Sequence, residues 1–378
     1  MTFFVIVIFL IFAIMICLLY KYILDVYGSF KPIKKKSIKV ILFFISIILF
    51  IGSILLIFRN KVGGVLSVFL IYIIMMYFFI SIINIFLKKN KKWRKIYLFI
   101  PVLFSLLFTS YGLYNMKNIV KTEYTIYSDK LNNDYKAILL SDLHYGVSLN
   151  DNELKKYCDE ISKLNPDFVF LGGDIVDERT SGEEMKSAFN ILSSINSKYG
   201  IYYIYGNHDK NMYSNNKTFT PEELERTIRD NNIIILEEDK KYINDDVILI
   251  GRGYDVRKNL DEIISDEDSS FYSILIDHVP LEYKSNREKG INLELSGHTH
   301  NGQIFPLGLM QKAYNFIASD DKTDSEINNI HNLSDLVYGI YQKDDFTAIV
   351  SSGMAGWAIP IRTESRSEYV VINIKSKN

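Results

Sequence analysis

The distribution of apolar positions divides the chain near residue 120. Before that point lie four uninterrupted apolar runs, roughly residues 3–20, 40–58, 65–87 and 96–114, each close to the ~20 residues that cross a hydrocarbon core. None carries the polar face that a helix of a soluble protein shows to water, so all four are predicted membrane spans. No basic residue precedes the first run and no small-residue cleavage site follows it before Lys21, so it is expected to persist as a helix rather than act as a cleaved signal peptide. After residue 120 the pattern changes to short β-rich runs separated by polar helices, the signature of a layered α/β architecture. Strands are predicted at residues 135–140, 167–171, 201–205, 233–236, 247–250, 272–276, 293–295, 347–350 and 369–374. Of the intervening helices, one is capped by Asn150 or Asp151 and stopped by Pro166. Another is capped by Thr220, with Pro221 in its first turn and Glu223 closing a capping box. Residues 315–335 are polar, acidic and weakly periodic, and are read as a long loop.

Charge sharpens the division. The 43 basic and 44 acidic residues split 15 to 1 over residues 1–120, where Asp25 is the single acid, and 28 to 43 thereafter. Two six-charge clusters follow the first and third spans: Lys21, Lys31, Lys34, Lys35, Lys36 and Lys39, then Lys88, Lys89, Lys91, Lys92, Arg94 and Lys95. Only Arg59 and Lys61 separate spans two and three. Excess positive charge marks cytoplasmic loops, so four spans leave the acidic part, residues 121–378, outside the cytoplasm. A count of three spans would leave it inside. The basic clusters adjoin apolar spans, where lipid phosphates meet them, and nucleic acid is not an expected partner. Cys17 falls in a span and Cys158 on a polar helix, so no disulfide framework is available; a core of this size needs none.

The chemistry gathers at the ends of the predicted strands. "LLSDLHYG" supplies Asp142 and His144, "LGGDIVDE" supplies Asp174 and Asp177, and "YGNHDK" supplies Asn207, His208 and Asp209. "LIDHVP" adds His278 and "ELSGHTHNGQIFP" adds His298 and His300. Singly, each motif is better explained as a surface turn or a solvated loop residue than as a ligand. Together, hard carboxylates, an amide oxygen and several imidazoles suit borderline divalent metals such as Mn, Fe or Zn. Between His298 and His300 the two-residue spacing would direct both side chains to one side of an extended segment, with Gly297 allowing close backbone approach.

The order Asp-x-His, Gly-Asp-x-x-Asp, Gly-Asn-His-Asp, His, Gly-His-x-His resembles the calcineurin-like metallophosphoesterases over roughly residues 137–374. The resemblance implies a four-layered α/β/β/α sandwich, here preceded by four transmembrane helices, with two divalent metal ions at the strand ends. It implies that Asp142, His144 and His300 hold one metal, that Asn207, His278 and His298 hold the other, and that Asp174 bridges both. The nucleophile would be a hydroxide shared by the metals, which also polarise the phosphoryl group. His208 would be the general acid, oriented and kept protonated by Asp177; Asp209 is read as structural.

"GDIVDERT" and "GNHDK" depart from the protein phosphatases, which have Arg-Gly after the second aspartate and Glu after Asn-His, so protein phosphatase activity is not expected. "GHTHNGQ" and "SSGMAGWAIPIRTESRSEYVVINI" are similar to the membrane-associated bacterial branch, which usually has Gly where Asn301 stands; Asn accepts left-handed backbone. The expected protein has a membrane domain, 1–120, and an extracytoplasmic metallophosphoesterase domain, 121–378. Its expected partners are the bilayer and a phosphate ester, with phosphodiesters of lipids or envelope components favoured. The alternative is a non-catalytic, metal-binding membrane sensor or assembly protein.

Overall fold

In the computed structural model, residues 2–57, 59–86, 91–214, 216–255, 257–318 and 337–377 are described. Contacts divide the chain into one unit of residues 1–114 with 358–361 and a second of residues 115–357 with 362–378.

The first unit contains α1 (Thr2–Phe30), α2 (Lys36–Ile57), α3 (Lys61–Phe86) and the greater part of α4 (Lys91–Lys117). Each contains a window apolar enough to cross a membrane, with mean hydropathies of 2.2, 3.2, 2.6 and 1.5. This is the make-up of a multi-pass membrane protein. Two details differ from the sequence pattern. α1 continues ten residues past Tyr20, carrying Lys21 and Asp25 within the helix rather than in a loop. Tyr22 donates to the Leu98 carbonyl at 2.9 Å and Tyr77 to Asp25 at 2.7 Å, so neighbouring helices satisfy the polar groups of this extension. α4 runs unbroken through Pro101.

The second unit holds two six-stranded sheets. One has the order β1-β12-β2-β3-β4-β5 and the other β10-β11-β9-β8-β7-β6. The strands are β1 (Val120–Ser128), β2 (Tyr135–Leu140), β3 (Phe168–Leu171), β4 (Ile201–Tyr203), β5 (Ile234–Ile235), β6 (Asp239–Tyr242), β7 (Val247–Arg252), β8 (Tyr272–Asp277), β9 (Leu293–Ser296), β10 (Gly339–Lys343), β11 (Phe346–Val350) and β12 (Glu368–Ser376). Helices α5 (Asp151–Ser162), α6 (Gly182–Leu192), α7 (Pro221–Asp230), α8 (Tyr283–Glu288) and α9 (Leu307–Ala318) lie between them in sequence.

Strand alternation builds the layers, because successive side chains point to opposite faces. Ala137 and Leu139, Phe168 and Phe170, Leu249, Ile274, Leu293 and Ile372 form the core between the sheets. Their neighbours Ile138, Leu140, Val169 and Leu171 face the other way and pack on Leu154, Phe189 and Leu224 of α5, α6 and α7. Ile248, Ile250 and Leu275 do the same for Tyr283 of α8. The result is the expected four-layered α/β/β/α sandwich.

Of the caps read from the sequence, Asn150 rather than Asp151 closes a capping box, with Glu153, and Thr220 closes one with Glu223; Ser181 and Glu184 form a third that the sequence reading did not name. Three strands not predicted from the pattern, β1, β6 and β10, are all edge strands. An edge strand shows alternate residues to water and lacks the continuous apolar run of a buried one, as in "VKTEYTIYS". Within 315–335, residues 315–318 are the last turn of α9 rather than loop; the remainder, from 319, lies outside the described residues.

Candidate metal centre

The strands β2, β3 and β4 run parallel to one another in one sheet, as do β8 and β9 in the other, and the candidate residues follow their carboxyl ends. In open α/β sheets that is where ligands bind. Asp142 and His144 follow β2, Asp174 follows β3, Asn207 and His208 follow β4, His278 follows β8, and His298 and His300 follow β9.

These side chains converge as two groups whose ligand atoms lie within 4.8 Å of one another. Asp142, His144 and His300 form one, and Asp174, His278 and His298 the other. Asn207 joins the second, with its Oδ1 3.2 Å from His278 Nε2 and 2.9 Å from His298 Nδ1. Asp174 Oδ2 lies between the groups, 3.3 Å from His278 Nε2 and 3.7 Å from His144 Nε2. The protonation pattern fits cations. His278 Nδ1 donates to the Gly172 carbonyl at 2.8 Å, which turns Nε2 toward an amide oxygen and a carboxylate. Oxygens so placed favour a positive charge at that point, a proton on Nε2 or a metal ion in its place, and the mixed N/O donor set suits a borderline divalent metal.

The backbone is bent to achieve this. Asp142, His144, Asp174, His298 and His300 all have positive φ, between 38 and 69°, a conformation that costs of order 1–3 kcal/mol per non-glycine residue and clusters at functional sites. His298 and His300 are therefore not on an extended segment, as their spacing implied. β9 ends at Ser296, and the histidines lie in a tight turn, separated by Thr299 in helical conformation. The turn closes because the Asp142 carboxylate accepts from the His298 N–H at 3.0 Å, and it sends the two rings to different groups. Asn301 adopts φ 47° and ψ 42°, the left-handed geometry its amide tolerates. Close approach is enforced at Gly297 and Gly206, where a Cβ would collide with the carboxylates of Asp142 and Asp174 respectively.

Asp209 braces the same loops. Wholly buried, it accepts from the backbone N–H groups of Asp174, Ile175, Val176 and Gly206 at 2.7–3.1 Å, tying the β3 loop to the β4 loop. Beneath His300, the fully buried Arg362 donates to the carbonyls of Ser352, Ala355, His300 and Arg366.

Electrostatics follow the geometry. Burial opposes charge on Asp174, but His278 and His144 outweigh it and hold the carboxyl far below the ordinary range. Burial likewise opposes protonation of His278, yet Asp174 and Asp142 raise it to about 10. Burial pushes His300 down to about 3, with His144 and Arg362 adding to the effect, and lowers His298. The carboxylates that favour a proton on His278 would equally favour a cation in its place, and binding one would release that proton.

His208 stands beside the two groups. Its ring centroid is 5.4 Å from that of His144, and its N–H donates to Asp174 Oδ1 at 2.8 Å. Here the sequence reading needs correction. The carboxylate against His208 Nδ1 is Glu178, with both oxygens at 3.0–3.1 Å; Asp177 instead lies 3.4 Å from His144 Nδ1 and accepts from the Arg179 N–H at 2.8 Å. In the turn after β3, successive residues point to different rings, and the motif gives no warning of which acid meets which. Sequence reasoning also missed Tyr213 and Trp357, whose rings lie 5.2 and 5.5 Å from that of His208, and Arg362. Nothing in the spacing of these residues marks them.

Two ligand groups sharing an aspartate at the ends of stacked sheets define a two-metal ester-hydrolase type of site. Comparison with known proteins makes this specific: residues 135–302 match the model of the calcineurin-like phosphoesterase family. Residues 135–302 are thus similar to a calcineurin-like phosphoesterase domain. It is similar to an uncharacterised metallophosphoesterase of Helicobacter pylori strain J99, with 32% identity over 68% of this chain and 64% of the relative. An uncharacterised metallophosphoesterase of Campylobacter jejuni is 29% identical over 98% of this chain and all of its own length. A zebrafish (Danio rerio) transmembrane protein with metallophosphoesterase domain is 28% identical over 64% of this chain and 54% of its own. The chain thus spans about 64% of the Helicobacter relative.

Proposed function

We propose that this protein is a membrane-anchored, two-metal phosphodiesterase acting on lipid or envelope phosphate esters outside the cytoplasm. The observation that carries the reading is the pair of ligand groups joined by Asp174, with His208 beside them. Asp142, His144 and His300 would hold one ion, and Asn207, His278 and His298 the other, with Asp174 common to both. When bound, two divalent ions supply Lewis-acid charge for the phosphoryl oxygens and make water a nucleophile at neutral pH. The chain's own part is positional. His208 gives its Nε2 proton to the departing oxygen, and the Glu178 carboxylate on Nδ1 fixes the ring and favours the protonated form. Asp177 orients His144 rather than the acid.

The positive-inside asymmetry supports a domain outside the cytoplasm. Divergence of the turns after β3 and β4 from the protein phosphatase pattern supports diesters over phosphoproteins. The test is hydrolysis of bis(4-nitrophenyl) phosphate and 4-nitrophenyl phosphate by Mn-loaded full-length protein in detergent, with chelator and His208→Ala as controls. Diester turnover lost in both controls supports the proposal. Turnover of the monoester alone overturns the diester assignment, and no turnover with two metals bound favours a metal-binding sensor.

A further inference from the structure

His208 lies between two large, solvent-exposed rings. Tyr213 is 62% exposed and Trp357 43%, and both rings are tilted onto the imidazole. Neither placement is incidental. The Trp357 N–H donates to Gln303 Oε1 at 3.0 Å, and its carbonyl accepts from Gln303 Nε2 at 3.1 Å, a reciprocal amide pair that fixes the backbone under the indole. Tyr213 follows His208 by five residues and turns its ring back to within 5.2 Å of the imidazole, at the edge of the site.

Met212, next to Tyr213 in the chain, is exposed, and so are Phe305 and Leu307, two and four residues beyond the Gln303 that pairs with Trp357. Scattered exposed apolar residues need no explanation, but two aromatic rings exposed against one imidazole of a polar site do.

Geometry determines what this rim meets. If His208 protonates the leaving oxygen, whatever is attached to that oxygen leaves the centre past the imidazole and therefore between Tyr213 and Trp357. A small hydrophilic alcohol would leave both rings in water. A nucleobase would stack on them, but Met212, Phe305 and Leu307 offer no partners for its hydrogen-bonding edge. An alkyl or acyl chain would cover the rings. In sequence, only Asn118 and Ile119 separate β1 from α4, a helix apolar enough to enter a bilayer.

We propose that Tyr213 and Trp357 form the leaving-group subsite and that the leaving group is the alcohol of a lipid. The inference rests on the phosphoesterase reading above. Hydrolysis breaks the P–O bond to the lipid alcohol, water supplies the oxygen that phosphorus gains, and the departing oxygen takes the proton carried by His208.

The chain has two tryptophans, so Trp93→Phe leaves Trp357 as the sole reporter. Mn-loaded full-length protein in detergent is titrated with ethyl phosphate and with hexyl phosphate, following tryptophan emission. The expected result is a blue shift with hexyl phosphate and a Kd about tenfold lower than for ethyl phosphate, with the difference falling below about threefold in Tyr213→Ala. Equal affinities, a static emission maximum, or a hexyl preference undiminished in Tyr213→Ala overturns the subsite. Turnover of bis(4-nitrophenyl) phosphate is scored on the same preparation. Hexyl preference without turnover removes the catalytic reading and leaves the lipid-binding rim, whereas turnover without preference removes the rim alone.

Discussion

At the scale of residues, the site is organised by what stands behind each ligand. Removing the acid with His208→Ala is expected to lower kcat by ~10²–10⁴-fold, the usual contribution of a positioned acid. Metal content measured by elemental analysis should stay unchanged, because the imidazole lies outside both ligand groups. Glu178→Gln keeps a hydrogen-bonding group on Nδ1 but removes its charge. It should cost roughly tenfold in kcat with metal content unchanged, whereas Asp177→Asn should lower metal affinity, acting through His144. If Asp177→Asn lowers kcat at unchanged metal content while Glu178→Gln leaves kcat at the parent value, the assignment made from the structure is wrong. Asp209 was legible as structural from its motif, but its four N–H donors were not, since they come from residues up to 35 positions away. Asp209→Ala strands those donors in a dry interior and should cost roughly 3 kcal/mol or more in denaturant unfolding.

Among the elements, the buried strands were legible and the edge strands were not. A run such as "FVFL" in β3 is apolar on both faces because layers cover both. By contrast β6, "DKKY", is nearly all exposed or half-exposed and becomes a strand only because β7 offers it hydrogen-bonding partners. The end of the sandwich away from the metal centre is held by a clasp that no motif announces. Asp246, just before β7, accepts from Asn133 at 2.8 Å and from the Tyr135 hydroxyl at 2.9 Å, joining the two sheets. Burial alone would raise its pKa, but these hydrogen bonds and those from Asn132 hold it below the ordinary carboxylate value. A depressed folded pKa gives stability that is complete above the unfolded value near 4 and is lost as pH falls through the folded one. Asp246→Ala should therefore destabilise the protein by about 1–3 kcal/mol at pH 7, and thermal melts should show the gap from the parent narrowing below about pH 4. A gap that is constant with pH would mean that the carboxylate is not the group at work.

For the molecule as a whole, the acidic part should be digested by protease added to intact spheroplasts, because both basic clusters flank spans on the opposite side. Digestion only after lysis would place the domain inside. Chelation should lower the unfolding temperature as well as stop turnover, since ions that bind only the folded state stabilise it by mass action, and Mn should restore both. An unchanged melting temperature after verified metal removal would show that the ligand loops hold their left-handed conformations unaided. Sequence alone determined the apolar helices, the buried strands, the ligand types and their order, because each is written in a local pattern: length against bilayer thickness, alternation against burial, donor chemistry against metal softness. Tertiary structure alone decided which acid faces His208, that the two histidines after β9 diverge from a tight turn, and that Tyr213 and Trp357 meet at one imidazole. The Glu178 and Trp357 contacts with His208 join residues 30 and 149 positions apart, and only the packing of two sheets brings such distant loops to one edge.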